Sequence, residues 1–196
     1  MKLEDIFKLP SAGAAPALLG WIICRQTPIG AIKLKIVETE AYHQNEPASH
    51  SYHGLTARTA PMFESGGRLY VYFTYGMHHA LNLVVGPKGV GPAVLIRAAE
   101  PLEGLEIMQA NRGLTDIKRL ANGPGKLAQA LGISDTKLSG KILDESSIFL
   151  EPPDKLLNAE DIITSSRIGI SKAVNLPWRF FIKNSPYVSH SRRQAL

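Results

Sequence analysis

One cysteine, Cys24, stands among 196 residues, so no intrachain disulfide can staple this chain and no cysteine-based zinc knuckle can form. Following the apolar run Leu18-Leu19-Gly20-Trp21-Ile22-Ile23, it reads as a small core hydrophobe. Long apolar runs are also missing. Nothing approaches the roughly eighteen residues that mark a membrane span, and the start of the chain is charged at Lys2, Glu4 and Asp5 and broken by Pro10 and Gly13, unlike a signal peptide. The expectation is a protein with no membrane partner, cytoplasmic in a bacterium or nuclear in a eukaryote. Internal repeats, low-complexity tracts and linkers are absent too, and 44% apolar with 20% charged residues suits one sizeable core, hence a single domain over residues 1–196. Acidic excess is lacking: 22 Lys and Arg against 17 Asp and Glu give +5 and a pI near 9.4, which favours a polyanionic partner.

What is present begins with a helical stretch from Ala14 to Leu19, Ser11 serving as its cap, and a strand from Trp21 to Arg25. Thr27-Pro28-Ile29-Gly30 forms a turn, and Ala31 to Tyr42 pairs back as a second strand. From His43 to Gly67 the pattern dissolves into polar and turn-forming residues, a length that usually means a functional loop. A hairpin from Arg68 to Val85 and a strand from Ala93 to Ala98 complete one antiparallel sheet. Beyond Pro101 the apolar period becomes helical, over Leu102–Ala110 and Leu127–Leu131, with Gly113 and Gly132 as stops. Between them Asn122-Gly123-Pro124-Gly125-Lys126 is a glycine-rich turn into a helix, a weak anion-site signal. Short strands follow at Ile148–Leu150 and Arg179–Ile182.

Most of the reactive side chains fall between Ile36 and Arg97. Alternation along Lys35–Tyr42 puts Glu38, Glu40 and Tyr42 on one strand face, with Val37, Thr39 and Ala41 on the other. Two carboxylates at that spacing repel unless compensated, and Arg97 can supply the positive charge. The pattern alone does not choose between Glu38 and Glu40. Tyr70 and Tyr72 share one hairpin face, while Leu69, Val71 and Phe73 take the other as core. At the hairpin tip, Tyr75-Gly76-Met77 sets large apolar groups where polar turn residues are expected. On a basic protein this suggests a wedge entering a base stack from the minor groove, with an aromatic slot and an acid–base group behind it for an extruded base.

A metal-dependent hydrolase is the competing reading, with His50, His53, Glu40 and the pair His78-His79 as ligands. However, adjacent histidines on a strand face opposite ways, and His50 and His53 sit on a loop rich in glycine, proline and serine. The pattern argues against a metal. A damaged-DNA-binding module that extrudes bases without cutting is the other alternative.

The blocks Val37-Glu38-Thr39-Glu40-Ala41-Tyr42, His50-Ser51, Leu69-Tyr70-Val71-Tyr72 through Tyr75-Gly76-Met77 to Asn82, Leu95–Pro101, Gly123–Leu127, Arg167-Ile168-Gly169 and Ser185–Ser189 together resemble the alkyladenine (3-methyladenine) DNA glycosylase family. They stand in that family's order from Ala14 to Ser189. The resemblance implies an α+β (mixed α/β) single domain: an antiparallel curved sheet flanked by helices, with a protruding DNA-intercalating β-hairpin. It also implies a monofunctional glycosylase of base excision repair. Such an enzyme flips 3-methyladenine, 7-methylguanine and, as further candidates, hypoxanthine and etheno-adenine out of duplex DNA and leaves an abasic site.

Carried over by position, Glu40 corresponds to the general base that activates water, Arg97 to the arginine holding that water, and the backbone carbonyl of Ile168 to its third anchor. Tyr42 and Tyr72 correspond to the rings that sandwich the flipped base, His50 to the histidine stacked on it, and Asn82 to the residue that rejects undamaged guanine. Tyr75, with Met77 beside it, is the intercalating wedge. Arg58, Lys126 and the tail Arg192-Arg193 are the expected backbone-phosphate contacts. Glu38 becomes a structural partner of a nearby Arg or Lys. No metal or other cofactor is implied, the partner is double-stranded DNA containing damaged purines, and the protein is expected to act as a monomer. No lysine stands in the blocks supplying the pocket, so no lyase activity is expected. The chain departs from some family members in carrying His78 after Met77 and a Ser51–Met62 loop one residue shorter.

Overall fold

The β-branched, alternating stretch Gly30–Tyr42 forms a 13-residue strand around which the fold is assembled. The computed structural model describes residues 1–74 and 76–189, so Tyr75, the expected wedge, and the Arg192-Arg193 tail, expected to contact phosphates, lie outside the described residues. In chain order the strands are β1 (Ile22–Thr27), β2 (Gly30–Tyr42), β3 (Leu69–Thr74), β4 (His78–Val84), β5 (Ala93–Glu103), β6 (Ile148–Glu151), β7 (Ile162–Ser165) and β8 (Arg179–Ile182). They make an eight-stranded sheet of order β3-β4-β5-β2-β1-β6, with β8 pairing both β2 and β7. Every described pairing is antiparallel.

The length of β2 lets one edge change partner. Its first half pairs with β1, from Thr27↔Gly30 to Ile22↔Lys35, and its second half with β8 at Glu38↔Phe181, Thr39↔Phe180 and Glu40↔Arg179. Its other edge pairs with β5 from Tyr42↔Ala93 to Lys33↔Glu103. Glu38 and Glu40 therefore lie in the sheet interior with strands on both sides, and neither has exposed surface.

Among the described residues four α-helices flank the sheet: α1 (Leu3–Ile6), α2 (Ser11–Ala17), α3 (Leu105–Arg112) and α4 (Pro124–Ala130). Helix α2 packs on β2 and β5, and the Thr39 hydroxyl donates to the Ala15 carbonyl at 2.8 Å. Helix α4 covers β4 and β5 and carries α3 against it. Leu34, Ile36, Leu81, Leu83, Val94, Ile96, Leu127 and Leu131 belong to the continuous core between them. A smaller cluster of Met62, Tyr70, Val84 and Ala93 sits apart with Phe63 and Tyr72 packed on it.

Three sequence expectations need correction. Ser11 is not the cap of α2: the helix begins at Ser11 itself, Pro10 takes the preceding position with extended ψ of 150°, and no side chain caps it. The strand expected over Ala93–Ala98 runs on as β5 through Pro101 to Glu103, and the helix expected from Leu102 starts only at Leu105, after Gly104 in the left-handed region at φ 78°. At that point β5 has no β4 neighbour, because their pairing stops at Asn82↔Leu95, so the missing proline N–H costs no ladder bond. Phe73 is not core but 52% exposed, against His79 with ring centroids 5.2 Å apart. The Phe73↔His79 and Thr74↔His78 rungs extend past the last β5 rung, so only two strands exist there to bury anything. Two four-residue elements, α1 and β7, have no counterpart among the elements expected from the sequence.

Candidate active site

One face of the sheet is covered by core, and the alternate residues of four strands open on the other. Tyr42 from β2, Tyr70 and Tyr72 from β3, His78, Ala80 and Asn82 from β4, and Leu95 and Arg97 from β5 all line one cavity of about 450 Å³. Ser49, His50 and Met62 from the long loop, Gly123–Lys126 from the turn into α4, and Ile168–Ile170 close its sides. That volume suits a ligand of small-molecule size, and aromatic walls with a few convergent polar groups are the usual make-up of a binding pocket.

The floor is a charge network. The β2–β5 register steps from Glu38↔Ala98 to Thr39↔Ile96 and leaves Arg97 unpaired on β5 as a bulge, which aims its guanidinium at β2. Arg97 Nε lies 3.2 Å from Glu38 Oε1, and Nη1 lies 3.5 Å from Glu40 Oε1. Glu38 is otherwise saturated: it accepts from Arg179 Nε at 2.6 Å, from the Ser189 backbone N–H at 2.6 Å and from the Ser189 hydroxyl at 2.8 Å. The expected Arg or Lys partner of Glu38 is thus a pair of arginines. Its acceptor sites are spent on holding the carboxyl-terminal segment and orienting Arg97, which leaves little capacity for chemistry.

Glu40 is held more lightly. The Tyr42 hydroxyl donates to Oε2 at 2.8 Å and the Ile168 N–H donates to Oε1 at 2.8 Å. Its side chain has no exposed surface, yet the three groups that touch it, Tyr42, Arg97 and Ile168, all line the cavity. Burial raises its pKa above the ordinary carboxylate value, opposed in turn by Arg97, the Ile168 N–H and the Tyr42 hydroxyl. Tyr42 shifts well upward, chiefly through burial and then through the neighbouring Glu40 charge, so its hydroxyl remains a donor.

His50 sits on a short 3-10 turn, His50–His53, fixed from below by Ser51, whose hydroxyl donates to the Gly91 carbonyl at 2.6 Å. Its Nδ1 lies 2.9 Å from the Tyr70 hydroxyl, and its ring meets Tyr72 edge-on with centroids 4.4 Å apart. The imidazole opens into the cavity, but crowding by protein lowers its pKa to about 4, with the Arg58 charge acting the same way. It is neutral at physiological pH. Asn82 donates its amide to the carbonyl of its cross-strand partner Tyr70 at 3.1 Å and lines the cavity. Arg58 is exposed, with its guanidinium 5.5 Å from the Tyr72 ring centre. Met77 is 71% exposed beyond the cavity, at the end of the paired strands β3 and β4.

Lys126 overturns one expectation, since it does line the cavity. Its Nζ donates to Asn122 Oδ1 at 2.7 Å, and its pKa is lowered by burial and by Arg112 and Arg119 nearby. Gly125 brings it there: a Cβ at that position would stand 2.9 Å from His78 Cγ, so only glycine lets the α4 turn approach β4 this closely. The histidines do not converge with the acids. Among the described residues no three His, Cys, Asp or Glu side chains gather as a metal set, and no helix is long and apolar enough to cross a membrane.

The sequence assigned no role to Arg167, Glu46, Arg179 or Ser189, although Arg167 and Ser189 fall within blocks that carry the family resemblance. Arg167 is 5% exposed and forks onto Glu46, Nη1 to Oε1 at 2.7 Å and Nη2 to Oε2 at 2.9 Å, and Nη1 also donates to the Ala41 carbonyl at 2.9 Å. Its Cζ lies 4.6 Å from the Tyr42 ring centre and 5.5 Å from Trp178. The partners are separated by over a hundred positions, so no local pattern betrays them.

Residues 5–186 match the model of the methylpurine-DNA glycosylase family. A protein of Francisella tularensis subsp. tularensis, named "Putative 3-methyladenine DNA glycosylase", is 46% identical over 188 residues, covering 95% of this chain and 97% of its own length. Proteins of the same name are 44% identical over 193 residues in Chlorobaculum parvum (97% of this chain, 91% of the relative) and 49% identical over 155 residues in Carboxydothermus hydrogenoformans (79% and 81%).

Proposed function

The chain belongs to the methylpurine-DNA glycosylase family, and from that premise we propose that it hydrolyses the N-glycosidic bond of alkylated purines extruded from duplex DNA, 3-methyladenine and 7-methylguanine first among them, with Glu40 as general base. The observation that carries this reading is the Glu40 carboxylate beneath an aromatic cavity, held by Tyr42, Ile168 and Arg97, the three groups that join it to the cavity.

Ring-nitrogen alkylation gives the purine a positive charge and weakens its bond to C1′, so the leaving group arrives activated. Tyr42 and Tyr72 stack on the base with His50 against it. The rings favour the cation by about 1–2 kcal/mol over a neutral purine, and a neutral imidazole does not repel it. That margin is small against undamaged guanine, so rejection falls to Asn82 and to pocket shape. As C1′ becomes oxocarbenium-like, the Glu40 charge stabilises it and accepts a proton from the attacking water, which Arg97 and the Ile168 carbonyl help to place. The C1′–N bond breaks with its electron pair going to the purine, hydroxide adds at C1′, and an abasic site and a free base result. The reaction uses no metal.

Duplex entry belongs to the basic surface and the β3–β4 end. Lys126 and Arg58 contact phosphates, while Tyr75 and Met77 fill the gap left by the extruded nucleotide. Release of free 3-methyladenine or 7-methylguanine from a lesion duplex, with the strand uncut until the abasic site is treated with alkali, tests the activity and its monofunctional character together. Strand scission without alkali would contradict the water mechanism.

A further inference from the structure

The reaction depends on the orientation of Tyr42 and of the Ile168 N–H; the sheet holds Tyr42 on one edge only, through its Ala93 rung, and does not hold Ile168. Tyr42 ends β2, and Ile168 lies on an irregular segment more than a hundred positions away. What joins them is Arg167. Its guanidinium lies over the Tyr42 ring at 4.6 Å, donates to the carbonyl of Ala41 immediately before Tyr42, and is locked by the two-bond fork onto Glu46. Nη2 reaches the Ala173 carbonyl at 3.4 Å, which fastens the far end of the segment carrying Ile168. Across the same point the Ala41 N–H donates to the Trp178 carbonyl at 2.8 Å, and the Trp178 ring lies 5.5 Å from the same guanidinium. Neither Arg167 nor Glu46 lines the cavity, and both are 5% exposed.

We propose that the Arg167–Glu46 pair is a positioning device for the glycosylase reaction, setting from behind the two groups, Tyr42 and the Ile168 N–H, that aim the Glu40 carboxylate. The inference rests on Glu40 being the base. A buried ion pair is weakly justified by stability alone, because apolar side chains of similar volume commonly serve a fold as well. What apolar residues cannot do is present a flat, rigid donor fork that stacks on a tyrosine while bonding a carboxylate and a main-chain carbonyl. Arg167 is therefore a positioning residue and not a catalytic one. Loosening it lets Tyr42 and the segment at Ile168 drift, and displacement of that kind costs rate without removing any group that meets substrate.

The test is single-turnover base release at saturating enzyme, with affinity for lesion duplex measured in parallel, for wild type, Glu40→Gln, Arg167→Lys, Glu46→Gln and the apolar double variant Arg167→Met/Glu46→Leu. The expected result is lesion affinity within about threefold of wild type and a rate lowered about 10- to 100-fold, Arg167→Lys and Glu46→Gln recovering part of what the double variant loses. The acid limb of the rate–pH profile should also move to higher pH, since Glu40 loses hold of two donors. The other charged or titratable groups facing Glu40, Arg97 on β5, Glu38 on β2 and, through Glu38, Arg179 on β8, are unchanged in these variants. Folded variants with wild-type rate and acid limb would overturn the proposal. So would a rate loss matched by an equal loss of lesion affinity, which would make the pair a wall of the base slot, or failure of all three pair variants to fold, which would make it a requirement of the fold. A wild type that releases no base, or an active Glu40→Gln, refutes instead the reading on which the inference rests.

Discussion

The Tyr42 hydroxyl donates to Oε2 of Glu40 at 2.8 Å, so a ring that walls the cavity and the carboxylate beneath it form one hydrogen-bonded unit. In the proposed mechanism, stacking of a base on Tyr42 is thereby coupled to the orientation of Glu40. Tyr42→Phe separates the two roles by keeping the ring and deleting the bond. The Tyr42 hydroxyl is one of the groups that hold the Glu40 pKa down, so losing its hydrogen bond to the charged carboxylate raises that pKa further. Lesion affinity should stay near wild type, while the acid limb of single-turnover base release moves up in pH.

Glu38 and Glu40 should separate cleanly in stability. Glu38→Ala strips Arg179, Arg97 and Ser189 of a common acceptor and leaves buried arginines without their carboxylate, a loss of about 3–5 kcal/mol in urea unfolding. Glu40→Gln removes a carboxylate that burial disfavours as a charge, so its melting temperature at neutral pH should equal or exceed that of wild type.

The pH dependence of that difference has a definite sign. Glu40 has a raised pKa in the folded protein, so between the unfolded carboxylate value and the raised one the native state binds more protons, and stability falls as pH rises. His50 acts oppositely: with a folded value of about 4 against 6.5, it costs stability as pH falls through that window. The two oppose each other in wild type. Thermal melts across pH 4–8 should show the Glu40→Gln advantage growing with pH, and His50→Gln should be less sensitive to acid than wild type.

How much was legible beforehand follows from where the information lies. Alternation grouped Glu38, Glu40 and Tyr42 on one face of β2, and Tyr70 with Tyr72 on one face of β3, because a strand's period depends only on its own residues. Arg97 was found as the compensating charge because an arginine near the end of an apolar strand is conspicuous. Yet the two carboxylates differ only through what reaches them from elsewhere, namely Arg179 and Ser189 for Glu38 and the Ile168 N–H for Glu40. No pattern local to β2 could choose, and only the family resemblance did. Phe73 failed for the same reason in reverse: its parity was right, but the sheet ends before it, which no period records. The Arg167–Glu46 fork joins two irregular stretches and leaves no periodic trace.

Salt should act on DNA affinity and not on discrimination. Lys126, which lines the cavity, feels the positive charges of Arg112 and Arg119. Lys126→Met should weaken damaged and undamaged duplex alike and reduce the slope of log affinity against log salt by about 1. Borohydride should trap no adduct with abasic DNA in wild type. A Lys126-dependent adduct would show that this amine reaches C1′.

The central claim is that Glu40 performs the chemistry, and single-turnover base release from a 7-methylguanine duplex, wild type beside Glu40→Gln, tests it most directly. Release by wild type that vanishes in Glu40→Gln, with lesion binding retained, is the predicted result. Lesion binding without release by wild type would instead make the protein a damage-binding module, and release by Glu40→Gln at the wild-type rate would place the base elsewhere.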